Sequence, residues 1–247
     1  MLLPGIFFAP IDEFFYNQRM KYFFLVLPLF FISGCMHKRP KSSAMKDYHM
    51  TVVPLTPYHW KIEYDGGGQV LFNPDGSGDL VFQPQPAKTS AQTFATLLLL
   101  KDTIARPLKN YAVKIDVTTE KQLRPSTPND WEVFWFFGNY QKGVGAEKTA
   151  NYFLLKPNSG LELGRAFEEV GQHFLKTDDS INLKIGERAV FVIVKEENHF
   201  QVFKNDIEIL NYEGGSMPEG LYENLGALGL YAEDALVRVH SFSFREL

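Results

Sequence analysis

Tyr111-Ala112-Val113-Lys114-Ile115-Asp116-Val117-Thr118 decides the fold. Val113, Ile115 and Val117 fall on one side of an extended chain, and Lys114, Asp116 and Thr118 on the other. Side chains alternate faces along a strand, so this octapeptide predicts a half-buried β-strand. Outward from it, short apolar or alternating runs recur between turn residues. Before it stand 60–64, 69–72, 79–83 and 94–101, separated by Asp65-Gly66-Gly67-Gly68 and Asn73-Pro74-Asp75-Gly76-Ser77-Gly78. After it come 131–137, 151–156, 161–164, 190–195, 200–204, 208–212, 226–231 and 236–244. The run 131–137 is apolar on both faces, so it should lie centrally with both sides covered. In 236–244 the inward set switches from Val237/Val239 to Phe242/Phe244, a phase change that predicts a bulge near Ser241. Only 166–174 has a short helical look, at Ala166-Phe167-Glu168-Glu169-Val170. About twelve strands with frequent turns argue for an all-β, two-sheet antiparallel sandwich or jelly roll. A parallel α/β fold would need amphipathic helices between its strands, and the sequence offers none.

The N-terminal region is of another kind. Met20-Lys21 precedes the apolar run 22–31, which ends at Ile32-Ser33-Gly34-Cys35. A charged start, an apolar stretch and small residues at a cleavage point form a secretory signal, too short for a spanning helix of about 20 residues. Cys35 is the single cysteine. Its place after the small pair resembles the lipobox of bacterial lipoproteins. That resemblance implies acylation of Cys35, cleavage before it, and a membrane tether. Asp12 and Glu13 fit no signal, so Met20 is the expected start. The expected organisation is a signal region over 1–34, a flexible tether over 35–56 and one β domain over 57–247. Met36, rather than Asp, follows the cysteine; by the same resemblance this favours the outer membrane or periplasmic face.

Bulk composition narrows the partners. The net charge is −4 and no basic stripe is present, so nucleic acid is not an expected partner. The one basic cluster, His37-Lys38-Arg39-Pro40-Lys41, lies in the tether. Phe (22), Tyr (11) and Trp (3) supply an aromatic β core. With its thiol acylated the mature chain would hold no disulfide, and packing must stabilise it.

Four segments carry a resemblance: Trp131-Glu132-Val133-Phe134-Trp135, Asn151-Tyr152-Phe153-Leu154-Leu155-Lys156-Pro157-Asn158, Leu161-Glu162-Leu163-Gly164, and Gly226-Ala227-Leu228-Gly229-Leu230-Tyr231-Ala232-Glu233-Asp234. They resemble concanavalin A-like lectin/glucanase domains over roughly residues 60–247. The resemblance implies two curved antiparallel sheets with any ligand on the concave one. The superfamily holds lectins, glucanases and lyases, so fold alone gives no activity.

The residues themselves favour binding over catalysis. A retaining glycosidase needs two carboxylates about 5 Å apart. Glu132 stands alone in its run, and the adjacent pairs Glu168-Glu169 and Glu196-Glu197 would point to opposite faces. A polysaccharide lyase needs a charge neutraliser and a proton-transferring Tyr or His. Tyr152, Lys156, Arg165 and His173 could supply these, but the Arg-rich and Gln-x-His strands of jelly-roll lyases are missing. Sugar binding asks only for exposed rings and a few polar groups. The expected ligand-binding set is Trp131, Trp135, Tyr152, Lys156, Glu162 and Arg165, with Lys114, Asp116 and Thr118 as a further polar face. The alternative is a polysaccharide lyase or glycoside hydrolase; a second is a non-catalytic envelope interaction protein. No cofactor is expected. The superfamily implies a structural Ca²⁺ in many members, and Asp65, Asp75, Asp79 and Glu233-Asp234 are the carboxylates available. However, Asp75-x-Ser77-x-Asp79 lacks the glycine and closing glutamate of a calcium loop.

Overall fold

The computed structural model describes residues 46–89, 91–142, 148–167, 171–214 and 225–247. The expected signal region, Cys35 and the first part of the tether lie outside the described residues. The strands are β1 (Thr51–Val52), β2 (Trp60–Tyr64), β3 (Gln69–Phe72), β4 (Leu80–Gln83) and β5 (Ala95–Leu100). Helix α1 (Lys101–Ala105) follows, then β6 (Tyr111–Gln122), β7 (Phe134–Lys142), β8 (Lys148–Leu155), β9 (Leu161–Phe167) and β10 (Gly171–Asp178). The chain closes with β11 (Arg188–Glu196), β12 (His199–Lys204), β13 (Ile207–Glu213), β14 (Ala227–Glu233) and β15 (Ala235–Glu246).

Two antiparallel sheets form the sandwich. One runs β13-β12-β11-β6-β15-β4-β3, with β1 added to β15; the other runs β10-β9-β8-β7-β14-β5-β2. The alternation read at 111–118 has its cause in this layering. Val113, Ile115 and Val117 enter the core between the sheets, while Lys114 points to solvent. Asp116 binds Arg188 through two bonds of 2.8 and 2.7 Å, and Thr118 Oγ1 lies 3.1 Å from His240 Nε2. The bulge predicted near Ser241 is present: Val239 pairs with Val117 and Ser241 with Asp116, leaving His240 extra. It turns Phe242 into the core after Val237 and Val239.

β7 sits fourth of seven in its sheet, and each face is covered. Phe134 and Phe136 join the inter-sheet core, while Trp135 and Phe137 join a second apolar cluster on the outer face. Gly138 leaves room for the Tyr111 ring, whose hydroxyl would overlap any Cβ there. Next to it Asn139 adopts φ 53° within a register shift between Gly138 and Gln141. Its amide donates to the Leu108 and Lys109 carbonyls, and its Oδ1 accepts from Asn151 Nδ2 at 2.9 Å.

Several expectations are corrected. The run 94–101 ends as a strand at Leu100, because Lys101 begins the single helical turn α1; within it the Thr103 hydroxyl donates to Leu100 O at 2.8 Å and accepts from Leu228 N at 2.9 Å. Ala166 and Phe167 belong to β9 rather than to a helix, while 168–170 lie outside the described residues. The tether expected over 35–56 is part of the packed body from Tyr48 on. Tyr48 covers Ala112, Val192, Val194 and Phe203 on the outer face of the first sheet. Arg245 Nη1 holds the Tyr48 carbonyl at 3.0 Å, β1 pairs with β15, and Val53 and Leu55 enter the core.

Candidate functional site

All six expected ligand residues lie on or beside the seven-stranded sheet, but not on one face. A cross-strand row on its outer face runs Glu162, Leu154, Trp135, Tyr231, Leu97 and Tyr64, following the register of β9, β8, β7, β14, β5 and β2. The next row holds Gly164, Tyr152, Phe137, Gly229 and Leu99. The middle of this face is closed by its own side chains. Trp135 is 4% exposed and Tyr231 2%. The Trp135 ring meets Tyr152 at 5.2 Å and Tyr231 at 5.6 Å, and Phe137 stacks on Tyr231 at 4.7 Å. Such contacts stabilise the sheet, and they leave Trp135 no free face for a sugar. Its expected role as a stacking platform is therefore corrected.

Trp131 is different. The run read as 131–137 becomes a strand only at Phe134, and Trp131 stands before β7, where Glu132 N bonds Asn129 O at 3.2 Å in a turn. The Trp135 indole N–H donates to its carbonyl at 2.8 Å, which fixes the backbone. The Trp131 side chain stays in solvent, the residue being 45% exposed. Neighbouring Asp130 accepts from Asn158 Nδ2 at 2.6 Å, tying the tryptophan segment to the β8–β9 turn. On that hairpin Lys156 donates to Glu162 Oε2 at 2.8 Å, and Tyr152 donates to Glu162 Oε1 at 2.7 Å. Gly164 makes this possible, since a Cβ there would overlap the Tyr152 hydroxyl. Tyr152, Lys156 and Glu162 therefore meet on this hairpin, and the Asp130–Asn158 bond ties the segment that carries Trp131 to its turn.

Arg165 does not join them. It stands three residues from Glu162, and an odd spacing on a strand reverses the face. It pairs in register with Asn151, is 3% exposed, and its Nη2 lies 3.5 Å from Thr149 Oγ1 on the inner side. His173 is opposite Arg165 on the edge strand β10 and is exposed. Lys114, Asp116 and Thr118 belong to the other sheet. Asp75 and Asp79, weighed as calcium ligands, both bind Arg238 Nη1, at 3.1 and 3.3 Å, and Asp79 also lies 3.2 Å from His240 Nδ1.

Catalytic geometry is poorly served here. Burial, then the Glu162 charge, push the Tyr152 hydroxyl up, and its proton is committed to Glu162, so it is a poor base. Glu162 and Glu233 both face outward, but β8 and β7 separate their strands. Three strand spacings put their strands about 14 Å apart, and Glu233 lies two residues beyond the row of Glu162, so the two are further apart than either glycosidase geometry allows.

One group of residues escaped the sequence reading. Behind Trp131, Arg124 Nε bonds Glu132 Oε1 and its Nη2 bonds Asp234 Oδ2 at 2.9 Å. Arg124 Nη1 also donates to Thr89 O at 3.1 Å, and Asn129 Nδ2 to Glu132 Oε1 at 2.9 Å. Asp234 Oδ1 accepts from Phe94 N at 3.1 Å. Glu132 and Asp234 are both 0% exposed, and Glu132 Oε2 has no hydrogen-bond partner among the described residues. Glu233, half-buried, accepts from Tyr231 Oη at 2.7 Å. Burial pushes Glu233 up to about 7 and Asp234 up to about 6, with Glu132 adding repulsion to each. The sequence cue was Glu132 itself: a lone carboxylate inside an apolar run must find a cation when buried.

No family model matches the chain, and no curated protein sequence does. Solved structures do share its fold. The carbohydrate-binding module CBM66 from Bacillus subtilis superimposes with a TM-score of 0.53 at 10% identity, covering 76% of this chain and 96% of that one. An alginate lyase of polysaccharide lyase family 7 gives 0.49 at 12% identity, over 76% and 96%. A Bacillus licheniformis β-glucanase gives 0.46 at 9%, over 80% and 98%. The fold is a concanavalin A-like jelly roll.

Proposed function

We propose that this chain is a lipid-anchored, extracytoplasmic protein that binds glycans at the strand-end site around Trp131. The observation that carries the reading is Trp131 itself. A large indole held in solvent by a fixed backbone, next in sequence to the Asp130 carboxylate and its Asn158 amide partner, offers what a pyranose needs: a flat apolar surface and hydroxyl partners. Glu162, 6% exposed and bonded at both oxygens, holds Lys156 Nζ in place, so that donor is preorganised and little ordering is lost on binding. Tyr152 positions Glu162 and is too buried to touch ligand. That a carbohydrate-binding module has the same fold is in keeping with this role. The proposed ligand set is Trp131, Asp130, Asn158 and Lys156, with Glu162 behind Lys156, on the sheet's end rather than its middle.

The anchor rests on the lipobox resemblance at Cys35. Labelled palmitate incorporated into the wild type and lost in Cys35→Ala, together with release from the membrane fraction, is the expected result. For binding, retention of the full-length protein in gels containing polysaccharides should weaken about tenfold or more in Trp131→Ala. An absence of retention by every glycan tested would remove the reading. The burial of Trp135 favours one further reading, an envelope interaction protein on the same scaffold; retention by none of the polysaccharides would support it.

A further inference from the structure

We infer that Asn129, acting through the buried carboxylate of Glu132, is the residue that positions Asp130 and Trp131 for ligand; this rests on the glycan reading above. Asp130 and Trp131 are the two middle residues of a turn, and Asn129 and Glu132 are its ends. Two bonds close those ends on each other. Glu132 N donates to Asn129 O at 3.2 Å, and Asn129 Nδ2 donates to Glu132 Oε1 at 2.9 Å. Neighbours tighten the closure. Gln122 Nε2 donates to Asn129 O at 2.7 Å, and the Trp131 carbonyl accepts from Val133 N at 2.9 Å as well as from the Trp135 indole. The last two side chains of the turn then diverge: Trp131 stands in solvent at 45% exposure, while Glu132 goes inward at 0%.

Glu132 is the fixed point of this turn. Its Oε1 accepts from Arg124 Nε as well as from Asn129, and Arg124 is held in turn by Asp234 Oδ2 and Thr89 O. Its Oε2 has no hydrogen-bond partner among the described residues, so one oxygen carries both bonds. A carboxylate buried against its guanidinium stays there, because an unpaired buried charge is strongly disfavoured. Asn129 is half-buried, and its amide links that fixed point to the ring-bearing residues. Affinity is what remains after the ordering of a site is met, so a turn already closed binds better than one that must close around its ligand. Asn129 itself touches no ligand; it sets where the Trp131 ring and the Asp130 carboxylate stand. The link needs an amide. A carboxylate at 129 would have no hydrogen to give Glu132 Oε1. It would also add like charge to a cluster in which Glu132, Glu233 and Asp234 already repel one another around Arg124.

The test exchanges the two linked groups. Affinity electrophoresis of the full-length protein in mixed-linkage β-glucan, xylan, galactomannan, levan, alginate and polygalacturonate first finds a polymer that retards the wild type and not Trp131→Ala. In that polymer Asn129→Ala and Asn129→Asp should each weaken retention at least about fivefold, as loss of one hydrogen bond to a charged acceptor would. Both should keep the native tryptophan fluorescence spectrum. Adding Glu132→Gln to Asn129→Asp puts a carboxylate at 129 and an amide at 132, which remakes the bond with its partners exchanged. Retention by this double variant should return to within about twofold of the wild type, a coupling that independent sites would not show. Trp131-dependent retention that both single variants keep, or a double variant no better than Asn129→Asp, would overturn the inference and leave glycan binding standing. So would a loss of retention matched in both single variants by loss of the native spectrum. Retardation of the wild type by no polymer, or equal retardation of Trp131→Ala, would overturn glycan binding at Trp131 and the inference with it.

Discussion

Raising the pH across the cluster of Arg124, Glu132, Glu233 and Asp234 should loosen the fold. In the unfolded chain the carboxyls of Glu233 and Asp234 titrate near 4.5 and 3.8; in the folded protein burial raises them to about 7 and about 6. Between those values the folded state holds more protons than the unfolded one. The stabilisation is therefore complete below the unfolded values and is lost as pH rises through the folded ones. The two groups repel each other and share Glu132 as a neighbour, so one proton is the safer count. A shift of about two pH units on one proton corresponds to about 3 kcal/mol. For a domain of this size that amounts to roughly 6–12 °C in melting temperature between about pH 5 and about pH 8. Glu63 and Glu187, held below their ordinary range, add stability that is lost only as pH falls below the window considered. Glu63 is lowered by Lys142 and Lys61 against the opposing pull of burial, and Glu187 chiefly by Lys204. The measurement is urea unfolding followed by tryptophan fluorescence at constant ionic strength, for wild type and Glu233→Gln. The wild type should lose stability steadily toward pH 8, and the variant should flatten the slope. A stability that is level or rising over this range, or a slope unchanged in the variant, would refute the account.

Three other substitutions separate structural from ligand-facing roles. Trp135→Ala should cost about 3–5 kcal/mol by opening the aromatic cluster, while Trp131→Ala should stay within about 0.5 kcal/mol, read by the same urea titration. Arg124→Met should destabilise by about 3–5 kcal/mol at neutral pH, because it strands buried carboxylates, and the loss should shrink on acidification. Gly164→Ala should cost about 1–3 kcal/mol by displacing the Tyr152 ring, and it should weaken glycan retention through Glu162.

Much of the architecture was written in short-range pattern. The alternation at 111–118 marks β6, and the switch from Val239 to Phe242 marks the bulge, because each depends only on which neighbours are apolar. The two-sided apolar run marks the central β7, although its strand starts three residues later than read, since the Asn129–Glu132 turn holds Trp131 outside it. The candidate site was legible in composition and less so in direction. Glu162 and Lys156 were found together, but Arg165 was grouped with Glu162 despite an odd spacing that sends it inward. The buried charge cluster was hidden because its members are far apart in the chain, with Arg124 and Asp234 brought together only by the β14–β15 turn. The span from Tyr48 to Val53 read as polar linker because its few apolar residues show no periodicity; what orders it is a sheet face and an open strand edge supplied by residues far downstream.

β7 also raises a question of alignment within its sheet. Ordinarily a strand slipped by one position would expose its oily side, and solvent itself polices the pairing. Here a slip would exchange one greasy set for another, so polarity gives little protection against it. The guard falls to two neighbouring positions: a glycine that alone admits the Tyr111 ring, and an asparagine whose amide is claimed by two carbonyls of the segment before β6. Mispairing of this strand, more than loss of any core contact, is the folding error to which a change at Gly138 or Asn139 would expose the molecule.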